Sequence, residues 1–263
     1  MRWPVLLLVL VTSGAAAACQ TPGGAAQTAR VTEEWTHQMP LNADGELVIT
    51  NSSGTIDVEG TSDNVPGVVD VRAEKVANAT TEQGARDLLT HVDIRYLSLP
   101  SKVTLETGAI SGVLIGVSFS VNYHVKAPKG ATIRTRTVNG QTTITGTTGR
   151  VVASVVNGGV AGTAIAGGIE ARATNGGVNV DVVQVGHDPI DLRAINGQVR
   201  ITLPAAANAN LSATSNNGSI EIMGLTLEKF GDQNLRRVRG RLNAGGTPIE
   251  LNSTNGDIHI TGR

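Results

Sequence analysis

The sequence predicts an all-β fold, a β-solenoid or β-roll built from repeated strand–Asn-Gly–strand units, with one short helix and one hairpin in an inserted or capping section. Three observations support this prediction. The dipeptide Asn-Gly occurs six times in the same sequence phrase, most copies follow one another after 18 to 21 residues, and apolar residues alternate with polar ones on both sides of it. Strict alternation is typical of half-buried strands, and a fixed repeat length is typical of stacked repeat architectures.

Each copy of the phrase centres on a predicted tight turn. Aligning the copies on the asparagine places a mostly apolar or small residue six and four positions before it and three and five positions after it, as in Ile169, Ala171, Val178 and Val180. Glycine after asparagine permits the positive φ that such a turn requires. A degenerate first copy has Ser53-Gly54. The predicted structural turn residues are Asn139, Gly140, Asn157, Gly158, Asn175, Gly176, Asn196, Gly197, Asn217, Gly218, Asn255 and Gly256.

Two architectures fit this phrase. Asn-Gly is the favoured two-residue loop of a type I′ hairpin, which would give an antiparallel β-meander. Alternatively, each turn is a corner at which the chain bends into the next face of a solenoid. The repeat length, the small aliphatic interior positions and a hydrogen-bonded ladder of stacked asparagines favour the solenoid. The 38-residue gap between Asn217 and Asn255 predicts a coil that has lost its signature or has been replaced by a loop.

The N-terminus predicts export and lipid anchoring. Residues 1–18 combine an early arginine, an apolar run and small residues before Cys19, which is typical of a lipoprotein signal peptide. The alanines before Cys19 resemble the bacterial lipobox, which implies lipidation of Cys19, and ordinary signal cleavage is the alternative. Residues 19–30 are small and polar and predict a flexible tether. Gln20, in place of the aspartate that signals inner-membrane retention, favours the outer membrane.

The section before the regular repeats, residues 31–130, is predicted to cap or border the coil stack. Thr80–His91 predicts a short amphipathic helix with a threonine at its N-cap. Asp93–Leu97 and Lys102–Thr107 predict a hairpin. Such a cap covers a sheet edge that would otherwise be an aggregation hazard. Residues 131–263 are predicted to hold the β-strand repeats, continuous with the preceding section as one domain.

Two passages resemble the bacterial "putative adhesin" β-strand-repeat family. The first is Tyr123–Gly130 followed by Ile133–Gly140, and the second is Arg239–Gly246 followed by Ile249–Ile258. The resemblance covers residues 45–262. It implies an exported or envelope-attached β-solenoid, and the family offers no catalytic residues to transfer to this chain. Because the motif is repetitive, it supports the fold better than it supports a function.

The composition limits the possible chemistry. The chain has a net charge of −1 and therefore lacks the positive charge typical of nucleic-acid-binding proteins. Its six aromatic residues are few for stacking against sugars or bases. Its single cysteine excludes a disulfide framework. The five histidines lie in no metal-ligand spacing, so no cofactor, metal or catalytic residue is predicted. Arg136, Arg172 and Arg193 each lie three residues before their asparagine, and form either a basic ridge or a solvated face.

These observations predict a non-enzymatic, lipid-anchored protein of the bacterial cell envelope whose solenoid surface serves binding, adhesion or scaffolding. The predicted partners are the membrane, through the N-terminal lipid, and an envelope protein or glycan, and nucleic acid is not expected. Two alternatives stay open. A groove with three or more converging Asp, Glu, Lys or Arg side chains would favour a solenoid carbohydrate-active enzyme. A regulator gene next to the gene of this protein would favour an envelope-stress accessory or sensor protein.

Overall fold

The structure, a computed structural model, describes residues 27–61, 67–108, 116–231 and 234–263. The signal peptide, Cys19 and most of the predicted tether lie outside the described residues. No helix in the described ranges is long and apolar enough to cross a membrane. The elements in chain order are β1 (Ala29–Pro40), β2 (Glu46–Ser53), β3 (Ile56–Thr61), β4 (Val68–Ala79), α1 (Glu82–Leu89), β5 (Ile94–Leu99), β6 (Lys102–Thr107), β7 (Ser118–Pro128), β8 (Thr132–Asn139), β9 (Thr142–Thr145), β10 (Val151–Asn157), β11 (Val160–Ile165), β12 (Ile169–Asn175), β13 (Val178–Val182), β14 (Ile190–Asn196), β15 (Val199–Leu203), β16 (Ala209–Asn217), β17 (Ile220–Met223), β18 (Leu227–Lys229), β19 (Arg237–Leu242), β20 (Thr247–Asn255) and β21 (Ile258–Gly262).

Two sheets enclose one hydrophobic core. Sheet A has the strand order β1-β4-β7-β3-β9-β11-β13-β15-β21-β17, and sheet B has the order β18-β19-β16-β20-β14-β12-β10-β8-β2-β6-β5. The apolar positions before each asparagine, such as Ala171, point into the core from sheet B. Those after it, such as Val180, point into the core from sheet A. The alternation in the sequence therefore predicted the buried face of each repeat strand.

Successive repeats pair in parallel, which confirms the solenoid. Val151 on β10 lies opposite Ile169 on β12, and Val180 on β13 lies opposite Ile201 on β15. A meander would pair consecutive strands antiparallel through their hairpins, so these parallel ladders exclude it. Each Asn-Gly is a corner at which the chain passes from sheet B to sheet A.

The corners stack so closely that they require glycine. Gly176 has φ +151°, and a Cβ atom there would lie 2.0 Å from the carbonyl oxygen of Gly158 in the preceding coil. The asparagines form the predicted ladder, in which each side-chain amide donates to the side-chain oxygen of the neighbouring asparagine at 2.8–2.9 Å. The order along the ladder is Asn139, Asn157, Asn175, Asn196, Asn255 and Asn217.

This order reveals that the coils do not stack in chain order. The last coil of the chain, β20 and β21, lies between the coil of β14 and β15 and the coil of β16 and β17. The 38-residue gap between Asn217 and Asn255 contains β18 and β19, which pair antiparallel with each other. They connect the coil of β16 and β17 to the last coil, and β19 also pairs antiparallel with β16. The same exchange occurs at the other end, where the coil of β2 and β3 lies between β6 and β7 on one side and β8 and β9 on the other.

The predicted capping section therefore has two roles. Strands β6 and β7 form a coil of their own without an Asn-Gly corner. In that coil the buried hydroxyl of Tyr123 contacts the hydroxyl of Thr107, and burial raises the pKa of Tyr123 to about 12. Among the described residues of this section, β1, β4, β5 and α1 border the stack, with antiparallel pairing of β1 to β4, β4 to β7 and β5 to β6.

The predicted helix is present as α1. The Thr81 side chain caps it by accepting a hydrogen bond from the backbone N–H of Gly84 at 3.1 Å. Ala85, Leu88 and Leu89 are buried, and they pack against Ala77 on β4 and neighbouring apolar side chains. The predicted hairpin is also present, with its strands at Ile94–Leu99 and Lys102–Thr107.

Candidate functional site

A groove of about 730 Å³ crosses the outer face of sheet A where the antiparallel strands meet the parallel coils. Five adjacent strands, β1, β4, β7, β3 and β9, contribute to it. Their inward residues belong to the core, so alternation turns the neighbouring polar residues outward into the groove. The polar lining residues are Thr36, Asp57, Glu59, Asp70, Arg72, Glu74, His124, Lys126, Thr143 and Thr145.

Strand register arranges the charges of the groove in two rows. In one row Asp70 on β4 lies opposite Lys126 on β7, and Lys126 lies opposite Glu59 on β3. In the other row Arg72, His124 and Asp57 occupy the corresponding positions on the same three strands. The first row therefore alternates between acidic and basic groups, whereas in the second row the two basic side chains are neighbours and Asp57 follows them. The lining as a whole contains four carboxylates, two cationic groups and one histidine.

The contacts between acidic and basic side chains in the groove are open to solvent. His124 Nδ1 lies 3.3 Å from a carboxylate oxygen of Asp57, and Lys126 Nζ lies 4.0 Å from Glu59. The His124 and Lys126 side chains are 57% and 62% exposed, and Arg72, which pairs with Glu34, is 65% exposed. Exposed pairs of this kind contribute little to stability, so their charges are available to a partner.

The outer face of sheet B does not form the basic ridge. Arg172 pairs with Glu170 at 2.9 Å, and Arg193 pairs with Asp191 at 2.8 Å. The hydrogen bond from Arg193 to Asp191 and the attraction between their charges raise the pKa of Arg193. Two of the three arginines are thus neutralised by carboxylates on the same face, as expected for a solvated surface.

The sequence neighbours Asp257 and His259 make contacts between coils. Asp257 accepts hydrogen bonds from the backbone N–H and the hydroxyl of Ser219 at 2.8 and 2.9 Å, and these bonds lower the pKa of Asp257. His259 Nδ1 lies 3.2 Å from Glu221 on the adjacent strand. No group of three His, Cys, Asp or Glu side chains within the described residues is placed to hold a metal ion.

The turn residues could be predicted from the sequence, but the residues of the groove could not. The structure brings all six predicted asparagines together along one edge of the stack. Alternation around Asp57 and Lys126 could have shown that these side chains point outward. No local signal shows that β3, β4 and β7 are neighbours, because β3 and β7 are separated by more than 50 residues.

The family of the chain follows from a match over most of its length. A family model described as Toastrack DUF4097 matches residues 37–261. The chain belongs to this Toastrack family. The match spans the two-sheet stack from β1 to β21 and confirms the predicted resemblance to an adhesin-like family of unknown function.

One solved structure shares the fold at low sequence identity. A structure described as a putative cell adhesion protein from Clostridium sporogenes ATCC 15579 is 10% identical, with a TM-score of 0.52, over 88% of this chain and 100% of that chain. A structure described as a putative adhesin from Bacteroides fragilis NCTC 9343 is 14% identical, with a TM-score of 0.32, over 88% of this chain and 97% of that chain. No curated protein matches this chain. The first likeness concerns the fold alone.

Proposed function

We propose that this Toastrack protein is a non-enzymatic, lipid-anchored component of the bacterial cell envelope that binds a partner in the groove on the outer face of sheet A. The observation that carries the proposal is the pair of exposed rows in which acidic and basic side chains of three neighbouring strands lie next to each other. Such a surface is complementary to a partner with the opposite pattern of charges, and complementary charge gives specificity and fast association.

The lining of the groove favours an envelope protein as the partner. The groove combines charges of both signs with the short side chains of Thr143 and Thr145, and its lining has no Phe, Tyr or Trp. Recognition of sugars commonly uses an aromatic face, whereas a protein surface supplies charged side chains that can pair with Asp57, Glu59 and Lys126. An envelope glycan is the second candidate.

Lipid anchoring at Cys19 and placement at the outer membrane form part of the proposal. The sequence of residues 1–19 supports them. The description of one structural neighbour as a putative cell adhesion protein supports only a place in the cell envelope. Cys19→Ala removes the only thiol of the chain. The variant should leave the membrane fraction or accumulate as precursor, and it should no longer incorporate a fatty-acid analogue. Incorporation of the label by the variant would contradict anchoring at this residue.

A carbohydrate-active enzyme remains the alternative, because the groove does contain more than three charged side chains. General acid–base catalysis needs a carboxylate placed to transfer a proton to or from the substrate. In the groove, Asp57 and Glu59 are instead open to solvent beside His124 and Lys126, without the burial that adjusts a carboxylate for proton transfer. Incubation with envelope polysaccharides separates the two functions, since release of new reducing or unsaturated ends would establish catalysis.

Capture of partners from envelope fractions tests the binding proposal. The double variant Arg72→Glu and Lys126→Glu reverses two exposed charges of the groove and should reduce capture of the partner at least about tenfold, because like charges would then face each other. Arg136→Glu, on the outer face of sheet B, is the matched control and should retain the partner. Equal capture of the partner by the unaltered protein, the double variant and the control variant would reject the groove as the binding surface.

A further inference from the structure

The C-terminal end of the stack carries a second groove, and most of the side chains that line it are apolar. Sheet A ends at β17, where Ile220 and Ile222 are only half-buried, whereas Ile258 and Ile260 in the same positions of the next coil are fully buried. The groove has a volume of about 570 Å³. Its apolar lining consists of Ile220, Ile222, Leu225, Leu227, Leu235 and Val238.

Large apolar side chains stand exposed around this groove. Leu235 is 76% exposed, and Met223 and Phe230 are each about half exposed. All three lie on the segments that form or border the end of the stack. A cluster of exposed apolar side chains next to an apolar groove indicates an interaction site.

The same end is strongly basic. Residues 225–242 contain five cationic and two acidic residues, a net charge of +3, so the rest of the chain must carry −4 to give the net −1 of the whole. On β19, Arg237, Arg239 and Arg241 are exposed and alternate with the buried Val238 and Leu242. Arg241 pairs with Glu228, and its guanidinium lies 5.9 Å from the centre of the Phe230 ring, so the charges open to a partner are mainly those of the other basic residues. Basic residues are therefore interleaved with apolar ones over one end of the molecule.

We propose that this end, residues 220–231 and 234–242, docks onto an anionic lipid surface. Leu235 and Phe230 enter the boundary between headgroups and acyl chains, and the basic side chains around them attract the lipid phosphates. Apolar residues combined with Lys and Arg are typical of proteins that bind at the membrane interface. A second copy of the same end fits less well, because two copies of the positively charged segment 225–242 would then face each other.

This contact is independent of the proposed lipid anchor. Strand β1, which follows the predicted tether, is at the opposite edge of sheet A from β17. The two features are therefore separated by the whole length of the stack. The proposal can be tested on the chain from residue 20 onward, which lacks Cys19 but keeps every residue that the structure describes.

Co-sedimentation with lipid vesicles provides the test. The chain should bind vesicles of phosphatidylcholine mixed with phosphatidylglycerol at least about tenfold more tightly than vesicles of phosphatidylcholine alone, because each basic residue near an anionic surface adds to the attraction. Raising the salt concentration should weaken the binding, because salt screens the charges. Absent binding, or equal binding to both vesicles, would overturn the proposal.

Matched variants locate the contact. Phe230→Ser with Leu235→Ser, and separately Arg236→Ser with Arg237→Ser, should each weaken binding at least about fivefold. Leu97→Ser with Leu99→Ser changes similarly exposed side chains at the opposite end and should leave binding unchanged. Circular dichroism verifies that every variant folds. The proposal fails if the control weakens binding as much as the others. It also fails if light scattering shows a dimer that Leu235→Ser dissociates, since a second copy would then occupy the groove.

Discussion

The two ends of the stack arise from the same exchange of coils but are completed differently. At each end a coil from the interior of the sequence lies outermost, and the first or last coil of the repeats lies one position inside. At the N-terminal end β4 and β1 extend sheet A, and Val69 and Val71 of β4 are fully buried. At the C-terminal end sheet A stops at β17, which leaves Ile222 half-buried. At the N-terminal end, which we call the closed end, additional strands cover the core. At the C-terminal end, which we call the open end, apolar side chains stay partly exposed and can contact a partner.

The largest effect should come from deleting residues 247–263. This deletion removes β20 and β21, which separate two other coils, so both neighbours lose a partner and cooperative unfolding should disappear. In a solenoid stacked in chain order, loss of the terminal coil affects only one neighbour. Thermal unfolding followed by circular dichroism measures the difference. Deleting residues 27–40, which removes the edge strand β1, should leave a cooperative transition at a lower temperature. A cooperative transition after the first deletion would contradict the inserted position of the last coil.

A buried charge should distinguish the closed end from the open one. Val71→Asp places a carboxylate where the side chain is fully buried, at a cost of several kcal/mol. Ile222→Asp leaves the carboxylate partly in water and should cost less than half as much. Urea unfolding of both variants gives the two free energies. Equal losses would show that the C-terminal end is as well covered as the N-terminal end.

Glycine substitutions should separate the interior corners from the open end. Gly176→Ala combines φ +151° with a Cβ atom 2.0 Å from a backbone oxygen, and should cost more than about 3 kcal/mol. Gly231→Ala has φ +70° and no atom within 4 Å of the new Cβ, so only backbone strain remains, about 1 kcal/mol. The midpoints of urea unfolding provide the comparison. A smaller loss at Gly176 than at Gly231 would be inconsistent with the close stacking of the corners.

The asparagine ladder should give the smallest difference. Asn175 donates to Asn157 and accepts from Asn196, whereas Asn217, at the open end, donates to Asn255. Asn175→Ala should therefore cost about 1 kcal/mol and Asn217→Ala about half of that, since a net hydrogen bond contributes about 0.5–1.5 kcal/mol and these are exposed. Differential scanning calorimetry resolves the two. No loss at Asn175 would mean that water replaces the ladder without cost.

The sequence predicted the coils well but not their order. Alternation around each asparagine identified the buried faces, and the helix cap at Thr81 followed from a common local rule. The neighbours of each coil could not be predicted, because all coils present nearly the same residues at the same positions. Ile190 pairs with Ile249 as readily as it would with Leu211 in the next copy along the sequence. Local patterns therefore do not distinguish chain order from the observed order.

The binding groove was beyond prediction for a related reason. Asp70, Lys126 and Glu59 become adjacent only through an antiparallel pairing of β4 with β7 and a parallel pairing of β7 with β3. The strands in these two pairings do not follow the regular spacing of the Asn-Gly repeats. The repeat period therefore does not indicate that they are neighbours. The charge balance of Arg172 and Arg193 likewise depends on carboxylates in neighbouring coils and on their own strands.

The exchanged coils also restrict how such a protein can change its length. A repeat fused to either terminus would not extend the stack, because the first and last coils are already covered on both sides. From β8 to β15, by contrast, chain order and spatial order coincide, and a duplicated unit of about 18 residues can enter the ladder without moving either end. Duplication of a coil in the middle of the stack therefore lengthens the surface of both sheets and leaves the structures at the two ends unchanged.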